Sequence, residues 1–115
     1  MSKAVVSTAN AEHYTLGEGC DGWFLVRTPE LHVIEERMPP GTAETAHHHV
    51  RSRQFFYVLE GELTMVMPHT EVLIQTGEGL EIASGEVHQA ANHGPLPARF
   101  LVVSQPLSHG DRVEA

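Results

Sequence analysis

The sequence contains a single cysteine, Cys20, among its 115 residues. One thiol forms no disulfide within the chain and does not supply the several thiolates of a zinc finger. Basic residues are also few: seven Lys and Arg stand against fifteen Asp and Glu, and the formal net charge is −8. Binding to nucleic acid or to an anionic membrane surface needs clustered positive charge. The composition therefore argues against both partners.

Long apolar runs and long helical periodicity are missing as well. No segment approaches the roughly 20 apolar residues that cross a bilayer. Residues 1–15 lack the apolar stretch of a signal peptide, so we expect a cytoplasmic protein. The length and the 41% of hydrophobic residues fit one globular domain. We expect that domain to span 1–115, with its core over about 22–106 between an N-terminal arm and a C-terminal tail.

Short apolar runs, cut by Gly and Pro, take the place of helices. Runs of this length between turn residues predict strands. The predicted strands are Trp23–Val26, Leu31–Met38, Gln54–Leu59, Leu63–Met67, Val72–Ile74, Leu80–Ile82 and Phe100–Val103. Many short strands at close spacing indicate an all-β sandwich or barrel. The polar residues from Ser108 onward are expected to form a loose tail or an arm that reaches a second subunit.

Histidine is abundant, with nine residues, and it is the commonest metal ligand in proteins. Alternate side chains of a strand share a face, so His47 and His49 point the same way while His48 points away. Two imidazoles placed like this can chelate one ion. Gln54 follows after a short loop with an amide oxygen to offer, and His88 stands near the end of a later run. The spacing indicates a metal site.

These residues fall at spacings that resemble the two signature motifs of the cupins. The first motif is matched by Gly41, His47, His49, Gln54 and Gly61. The second motif is matched by Gly77, Ala83, Gly85, His88 and Asn92. Gln54 stands where the family usually has Glu, and Ala83 stands where it usually has Pro. Fifteen residues separate Gly61 from Gly77, a spacer typical of compact single-domain cupins.

The resemblance implies an all-β cupin jelly roll, a β-sandwich or barrel that holds a divalent metal ion (Zn, Mn, Ni or Fe). The ligands that it implies are His47, His49, Gln54 and His88. Because Gln replaces Glu, the ligand set is neutral, which favours Lewis-acid chemistry over cycling between Fe(II) and Fe(III). Gln54 has an alternative role as a hydrogen-bonding residue of the pocket, beside an ion held by three histidines alone.

This fold hosts many activities, so the resemblance names no substrate. The leading hypothesis is a small-molecule metalloenzyme, either a Lewis-acid isomerase or lyase or a dioxygenase. The alternative is a non-catalytic cupin that binds or senses a sugar or metabolite. The candidate substrate-binding residues are Phe56, Met65 and Arg99. Phe56 and Met65 could line the barrel, and Arg99 could pair with a substrate carboxylate. Alternatively, Phe56 and Met65 are ordinary core residues, and Arg99 lies at an exposed strand end.

The catalytic residue stays open at the level of sequence. His32 and Glu36 share one face of a predicted strand, and either is a candidate acid or base if that face points inward. His48 is expected at a solvent or dimer face. The histidines expected on the plain surface are His69, His93 and His109.

A homodimer is the expected assembly. A small cupin leaves sheet edges open, and unpaired strands seek partners. The apolar runs Trp23–Val26 and Phe100–Val103 are candidates for the interface.

Overall fold

The computed structural model describes residues 4–115, and this part of the chain forms eleven strands. In chain order these are β1 (Glu12–Leu16), β2 (Cys20–Arg27), β3 (His32–Met38), β4 (His47–His49), β5 (Arg53–Glu60), β6 (Glu62–Met67), β7 (Thr70–Gln75), β8 (Gly79–Ile82), β9 (Gln89–Ala91), β10 (Ala98–Gln105) and β11 (Arg112–Glu114). Each strand predicted from the sequence is present. No helix within the described residues is long and apolar enough to span a membrane.

Six strands form the larger sheet, in the order β1-β2-β3-β10-β5-β8, with every neighbouring pair antiparallel. Strands β5 and β10 near its centre alternate between buried and more exposed residues over most of their length. On β10, Phe100 and Val102 are buried while Leu101 and Val103 are half-buried on the outer face. This period of two gives the sheet one face for the core and one face that points outward.

The second layer consists of the sheet β7-β6-β9 and the pair β11-β4. Two backbone bridges join the chain around β4 to the chain around β9, one between His47 and His88 and one between Ala43 and Ala91. Large side chains from both layers fill the space between them, among them Leu63, Met65 and Phe100, each fully buried. Burying a side chain of this size contributes roughly 1.5–3 kcal/mol. The fold is an all-β jelly roll, as the resemblance implies.

Two residues of the motif pattern shape one end of this fold. Gly61, in the turn between β5 and β6, has a φ of +73°, and a Cβ there would lie 2.5 Å from the carbonyl oxygen of Pro97. Only glycine fits such a position. Asn92 is fully buried, and its Nδ2 donates to the carbonyl oxygens of Met38 and Leu96 at 2.9 and 2.8 Å. Both residues therefore have structural roles.

The C-terminal segment differs from the loose tail that the sequence predicts. Residues 112–114, as β11, pair with His47–His49 of β4. The Asp111 carboxylate accepts hydrogen bonds from the backbone N–H groups of Arg51 and Ser52, at 3.0 and 2.8 Å. The sequence did not predict this strand, because the segment is polar. It is stabilised by backbone pairing and by the Asp111 carboxylate rather than by apolar burial. The segment closes one side of the histidine-bearing strand.

Candidate metal centre

Three histidine side chains meet inside the jelly roll. His47 and His49 are 3% and 5% exposed, and His88 is 1% exposed. The backbones of His47 and His88 exchange two hydrogen bonds, of 3.0 and 2.9 Å, which set the two side chains next to each other. One ring nitrogen of each histidine lies within 4.8 Å of those of the other two. Three imidazoles this close can hold a single ion.

Backbone carbonyls orient two of these rings. The Nδ1 atom of His47 lies 2.8 Å from the carbonyl oxygen of Thr45, and that of His88 lies 2.9 Å from the carbonyl oxygen of Glu86. A carbonyl oxygen only accepts, so Nδ1 carries the proton in both rings and Nε2 keeps its lone pair. The Nε2 atom of His88 is buried and has no hydrogen-bond partner within residues 4–115. This is the arrangement expected of metal-binding histidines.

Gln54 presents a further unpaired oxygen. Its side chain is 7% exposed, and its Nε2 donates to the Ser104 hydroxyl at 3.0 Å. The other amide atom, Oε1, is buried without a hydrogen-bond partner in the described part of the chain. Leaving a buried acceptor unsatisfied costs roughly 1–3 kcal/mol. A cation at this position would remove that cost, so the residues present fit a divalent ion.

The protonation state of the histidines agrees with this use. Burial lowers the pKa of His47 and of His49 to about 4. Burial also lowers the pKa of His88. All three imidazoles are therefore neutral at pH 7, which is the form that binds metal ions.

His47, His49 and Gln54 line a cavity of about 350 Å³, and His88 lies behind this lining, hydrogen-bonded to the backbone of His47. Its apolar wall comes from the inner face of the large sheet and consists of Leu16, Ile34, Phe56 and Val102. Its polar lining consists of Tyr14, Glu36, Glu44, His47, His49, Gln54, Ser108, His109 and Arg112. A volume of this size accommodates a small organic molecule.

Glu36 and Glu44 are the two carboxyl groups of this lining. Burial raises the pKa of Glu36 to about 7. Burial, and next the charge of Glu36, raise the pKa of Glu44 to about 8. The sequence left the direction of the His32 and Glu36 face open, and the structure turns it inward. Glu36 lines the cavity, whereas His32 is buried with its ring against Phe24.

Only one of the three residues expected to bind substrate lines this cavity. Phe56 does so, from the buried face of β5. Met65 is fully buried in the core and lies outside the cavity lining. Arg99 is on the outer face, ion-paired with Glu35 and 5.5 Å from the centre of the Trp23 ring. The expectation for Arg99 is thereby corrected, because strand alternation turns the neighbour of buried Phe100 outward.

The structure adds polar residues that sequence reasoning did not assign to a site, namely Tyr14, Glu44, His109 and Arg112. His109 was expected to be a plain surface residue, yet its ring centroid lies 5.1 Å from that of Phe24 and 5.4 Å from that of His32. Arg112 lies on a strand of three residues. A strand that short shows no readable period, so the sequence carried no signal for it.

The family model of the cupin domain matches residues 34–104. This range holds all four residues of the candidate metal site. The chain belongs to the cupin family. A curated relative, the tetracenomycin polyketide synthase protein TcmJ of Streptomyces glaucescens, is 32% identical over 71 residues. That match covers 62% of this chain and 48% of the relative, so the chain spans about half of the relative's length.

Solved structures share the fold over nearly the whole chain. The polyketide cyclase RemF of Streptomyces resistomycificus superposes with a TM-score of 0.84 at 20% identity, over 99% of this chain and 86% of its own. A predicted oxalate decarboxylase of Thermotoga maritima gives a TM-score of 0.78 at 23% identity, over 90% of this chain and 100% of its own. Identities this low show a common fold only.

Proposed function

We propose that this cupin is a small-molecule metalloenzyme that binds one divalent ion through His47, His49, His88 and the amide oxygen of Gln54. The observation that carries the proposal is the group of three buried histidines whose ring nitrogens lie within 4.8 Å of one another. Within the described residues, Nε2 of His88 and Oε1 of Gln54 are buried without a hydrogen-bond partner. A bound divalent ion supplies Lewis-acid chemistry, which polarises a carbonyl or hydroxyl oxygen of the substrate.

The substrate class that fits is a hydroxy-carbonyl compound, on which the enzyme acts as an isomerase, lyase or cyclase. Two similar proteins carry polyketide chemistry in their names, and polyketides are rich in carbonyl and hydroxyl groups. The apolar wall that includes Ile34, Phe56 and Val102 suits the carbon skeleton of such a molecule. Arg112, which donates to the carbonyl oxygen of Thr45 at 3.1 Å and pairs with Glu114 at 3.3 Å, adds a guanidinium group to the lining of the cavity.

The test begins with protein purified without a metal-affinity column and stripped with a chelator. Reconstitution with Zn²⁺, Mn²⁺, Ni²⁺ or Fe²⁺ and elemental analysis should give close to one ion per chain. A screen of hydroxy-carbonyl substrates should then show turnover that chelation removes and metal restores. Absence of bound metal after reconstitution would contradict the proposal. Stoichiometric binding without turnover on any substrate would favour the non-catalytic sugar- or metabolite-binding role.

We further propose that the protein is a homodimer formed through the outer face of the large sheet. Phe55, Tyr57 and Leu59 point outward from β5 and are 43%, 37% and 36% exposed. Leu101 and Val103 of β10 lie beside Tyr57 and Phe55 in the antiparallel register and extend the same apolar face. Apolar area of this kind on a folded domain favours contact with another protein surface.

A charge in this face should separate the subunits. Light scattering at micromolar concentration is expected to give a dimer mass for the parent and a monomer mass for Tyr57→Lys. Leu73→Lys is the matched control, because Leu73 is 51% exposed but lies on β7 in the other sheet. A monomer mass for the parent, or a dimer mass for Tyr57→Lys, would contradict this interface.

A further inference from the structure

One row of residues across three strands has no part in the metal site. The antiparallel register places Tyr14 of β1 opposite Gly22 of β2, and Gly22 opposite Glu36 of β3. Tyr14 and Glu36 both line the cavity. The row therefore brings a phenol and a carboxyl group to the wall of the cavity that His47 and His49 also line.

The two side chains of this row form one unit. The Tyr14 hydroxyl donates to Oε2 of Glu36 at 2.9 Å. Burial, and next the charge of Glu36, raise the pKa of Tyr14, so the phenol stays protonated and can only donate to a carboxylate. Within the described residues Glu36 has no other side-chain hydrogen bond, which leaves Oε1 available to a molecule in the cavity.

Gly22 makes the contact possible. A Cβ at this position would lie 2.1 Å from Cζ of Tyr14 and 2.5 Å from its hydroxyl oxygen. The phenol ring thus lies across the backbone of β2 in the space that a side chain would take, and so reaches the third strand. Aromatic side chains cover glycines of neighbouring strands in this way. The backbone of Gly22 does not have a positive φ, so packing alone explains why glycine is needed.

Glu36 is also within electrostatic reach of the metal-site wall. Arg112 pairs with His49 in the register of β11 and β4, and its charge lowers the pKa of Glu36. Arg112 lines the same cavity as Glu36, His47 and His49. Its guanidinium also contacts the carbonyl oxygen of Thr45 and the Glu114 carboxylate. The other titratable groups that face Glu36 are Tyr14, Cys20 of β2 and Glu44, of which Glu44 lies just before β4.

We propose that Glu36 is the catalytic acid–base residue of this enzyme and that Tyr14, seated over Gly22, is its positioning residue. The proposal rests on the metalloenzyme function proposed above and adds its proton-transfer step. The Oε1 atom of Glu36 takes a proton from a carbon beside the substrate carbonyl. The electron pair of that C–H bond forms a carbon–carbon double bond while the π pair of the carbonyl moves onto its oxygen, so that the substrate becomes an enolate. Glu36 then returns the proton to another substrate atom, so the isomerisation needs no oxidant or reductant.

The protonation behaviour of Glu36 supports this role. Burial raises its pKa to about 7, while the Tyr14 hydrogen bond and the Arg112 charge act in the opposite direction. Proton transfer is most efficient when the pKa of the transferring group is close to the working pH. Glu36 meets this condition near neutrality.

The first experiment titrates Glu36 in the metal-free protein. Its ¹³C carboxyl resonance is assigned by its absence from Glu36→Gln, and we expect a midpoint near neutral pH. Tyr14→Phe and Gly22→Ala should both raise that midpoint, because each removes the phenol from the carboxylate. Tyr57→Phe is the control, since that ring lies on the outer face. A midpoint in the ordinary range of glutamate, or one that neither variant shifts, would overturn the proposal.

The second experiment separates proton transfer from metal binding. Mn²⁺-loaded protein is incubated in D₂O with dihydroxyacetone or pyruvate, and loss of the carbon-bound proton is followed by ¹H NMR. Glu36→Gln should slow this exchange roughly a hundredfold or more. Its affinity for Mn²⁺, measured by calorimetry, should not change. The control is Glu81→Gln, because Glu81 is exposed on β8.

The outcomes distinguish the two proposals. If the parent and Glu36→Gln exchange the carbon-bound protons at equal rates, the role of Glu36 alone is overturned. The same holds if the Mn²⁺-loaded parent exchanges the protons of neither dihydroxyacetone nor pyruvate. A parent that binds no Mn²⁺ would overturn the metalloenzyme function, and with it the acid–base role.

Discussion

His49→Ala is expected to weaken divalent metal binding by roughly a hundredfold or more, whereas His48→Ala should leave it unchanged. Loss of an outer partner that only orients a ligand costs roughly ten- to a hundredfold, and loss of an imidazole ligand, which binds more strongly than an amide oxygen, should exceed that range. His49 is 5% exposed and its Nδ1 atom has no hydrogen-bond partner within the described residues. His48 is half-buried, and strand alternation turns it to the other side of β4.

The comparison is sharp because both variants change a histidine of the same three-residue strand. Isothermal calorimetry with Zn²⁺ and Mn²⁺ measures affinity and stoichiometry, and circular dichroism of the metal-free proteins verifies that both variants are folded. Equal affinities for the two variants would remove His49 from the ligand set. If His48→Ala alone lost binding, the inward and outward assignment of β4 would be reversed.

Much of this fold is predictable from the sequence because the central strands bury one face only. In β5, Gln54 and Phe56 point into the barrel while Phe55 and Tyr57 point outward. The apolar run still predicts the strand, although both of its faces carry aromatic residues. The histidines at 47 and 49 were assigned to one face by the same period of two, and the structure places both of them inside. Local alternation is therefore enough to predict the strands and the direction of these two side chains.

The remaining part of the cavity depends on contacts between segments distant in sequence. Tyr14 reaches Glu36 across Gly22, and 22 positions separate the phenol from the carboxylate that it contacts. Arg112 reaches the cavity through a strand whose partner, β4, lies more than sixty positions earlier. Neither contact leaves a local pattern, because the strands involved are short and their pairing is set by the closed fold. A single sequence therefore predicts which way a side chain points more readily than it predicts which distant residues that side chain contacts.

Arg99 shows that a correctly predicted strand does not by itself tell which of its residues face the cavity. A strand near the site was predicted correctly, but the register of its residues decides which of them enter the cavity. Val102 enters it, whereas Arg99 pairs with Glu35 on the outer face. A shift of one residue exchanges the two faces of a strand. The charge of Arg99 therefore indicated a binding role that its position does not allow.

Gln54 is the proposed fourth ligand, and two substitutions test its role. In Gln54→Ala the amide oxygen is lost, and metal affinity should fall by roughly ten- to a hundredfold. In Gln54→Glu a carboxylate replaces a dipole beside a doubly charged ion, and affinity should rise by about tenfold, since ligand charge tunes metal affinity. The Ser104 hydroxyl, which now accepts from Nε2 of Gln54, can rotate and donate to the new carboxylate. The substitution thus keeps the shape of the site.

The Gln54→Glu variant should hold metal better and catalyse more slowly. The added negative charge offsets part of the charge of the ion and so lowers its Lewis acidity. The metal-free variant should lose stability, because it buries a carboxylate that has a hydrogen bond from Ser104 but no positive partner. Urea unfolding with and without Mn²⁺ measures the stability change, and turnover with the substrate found in the screen measures the catalytic one. Gln75→Glu is the control, because Gln75 is exposed on β7. If neither Gln54 variant changes metal affinity, Gln54 only hydrogen-bonds within the pocket, and the resulting three-histidine site favours dioxygenase chemistry over an isomerase or lyase.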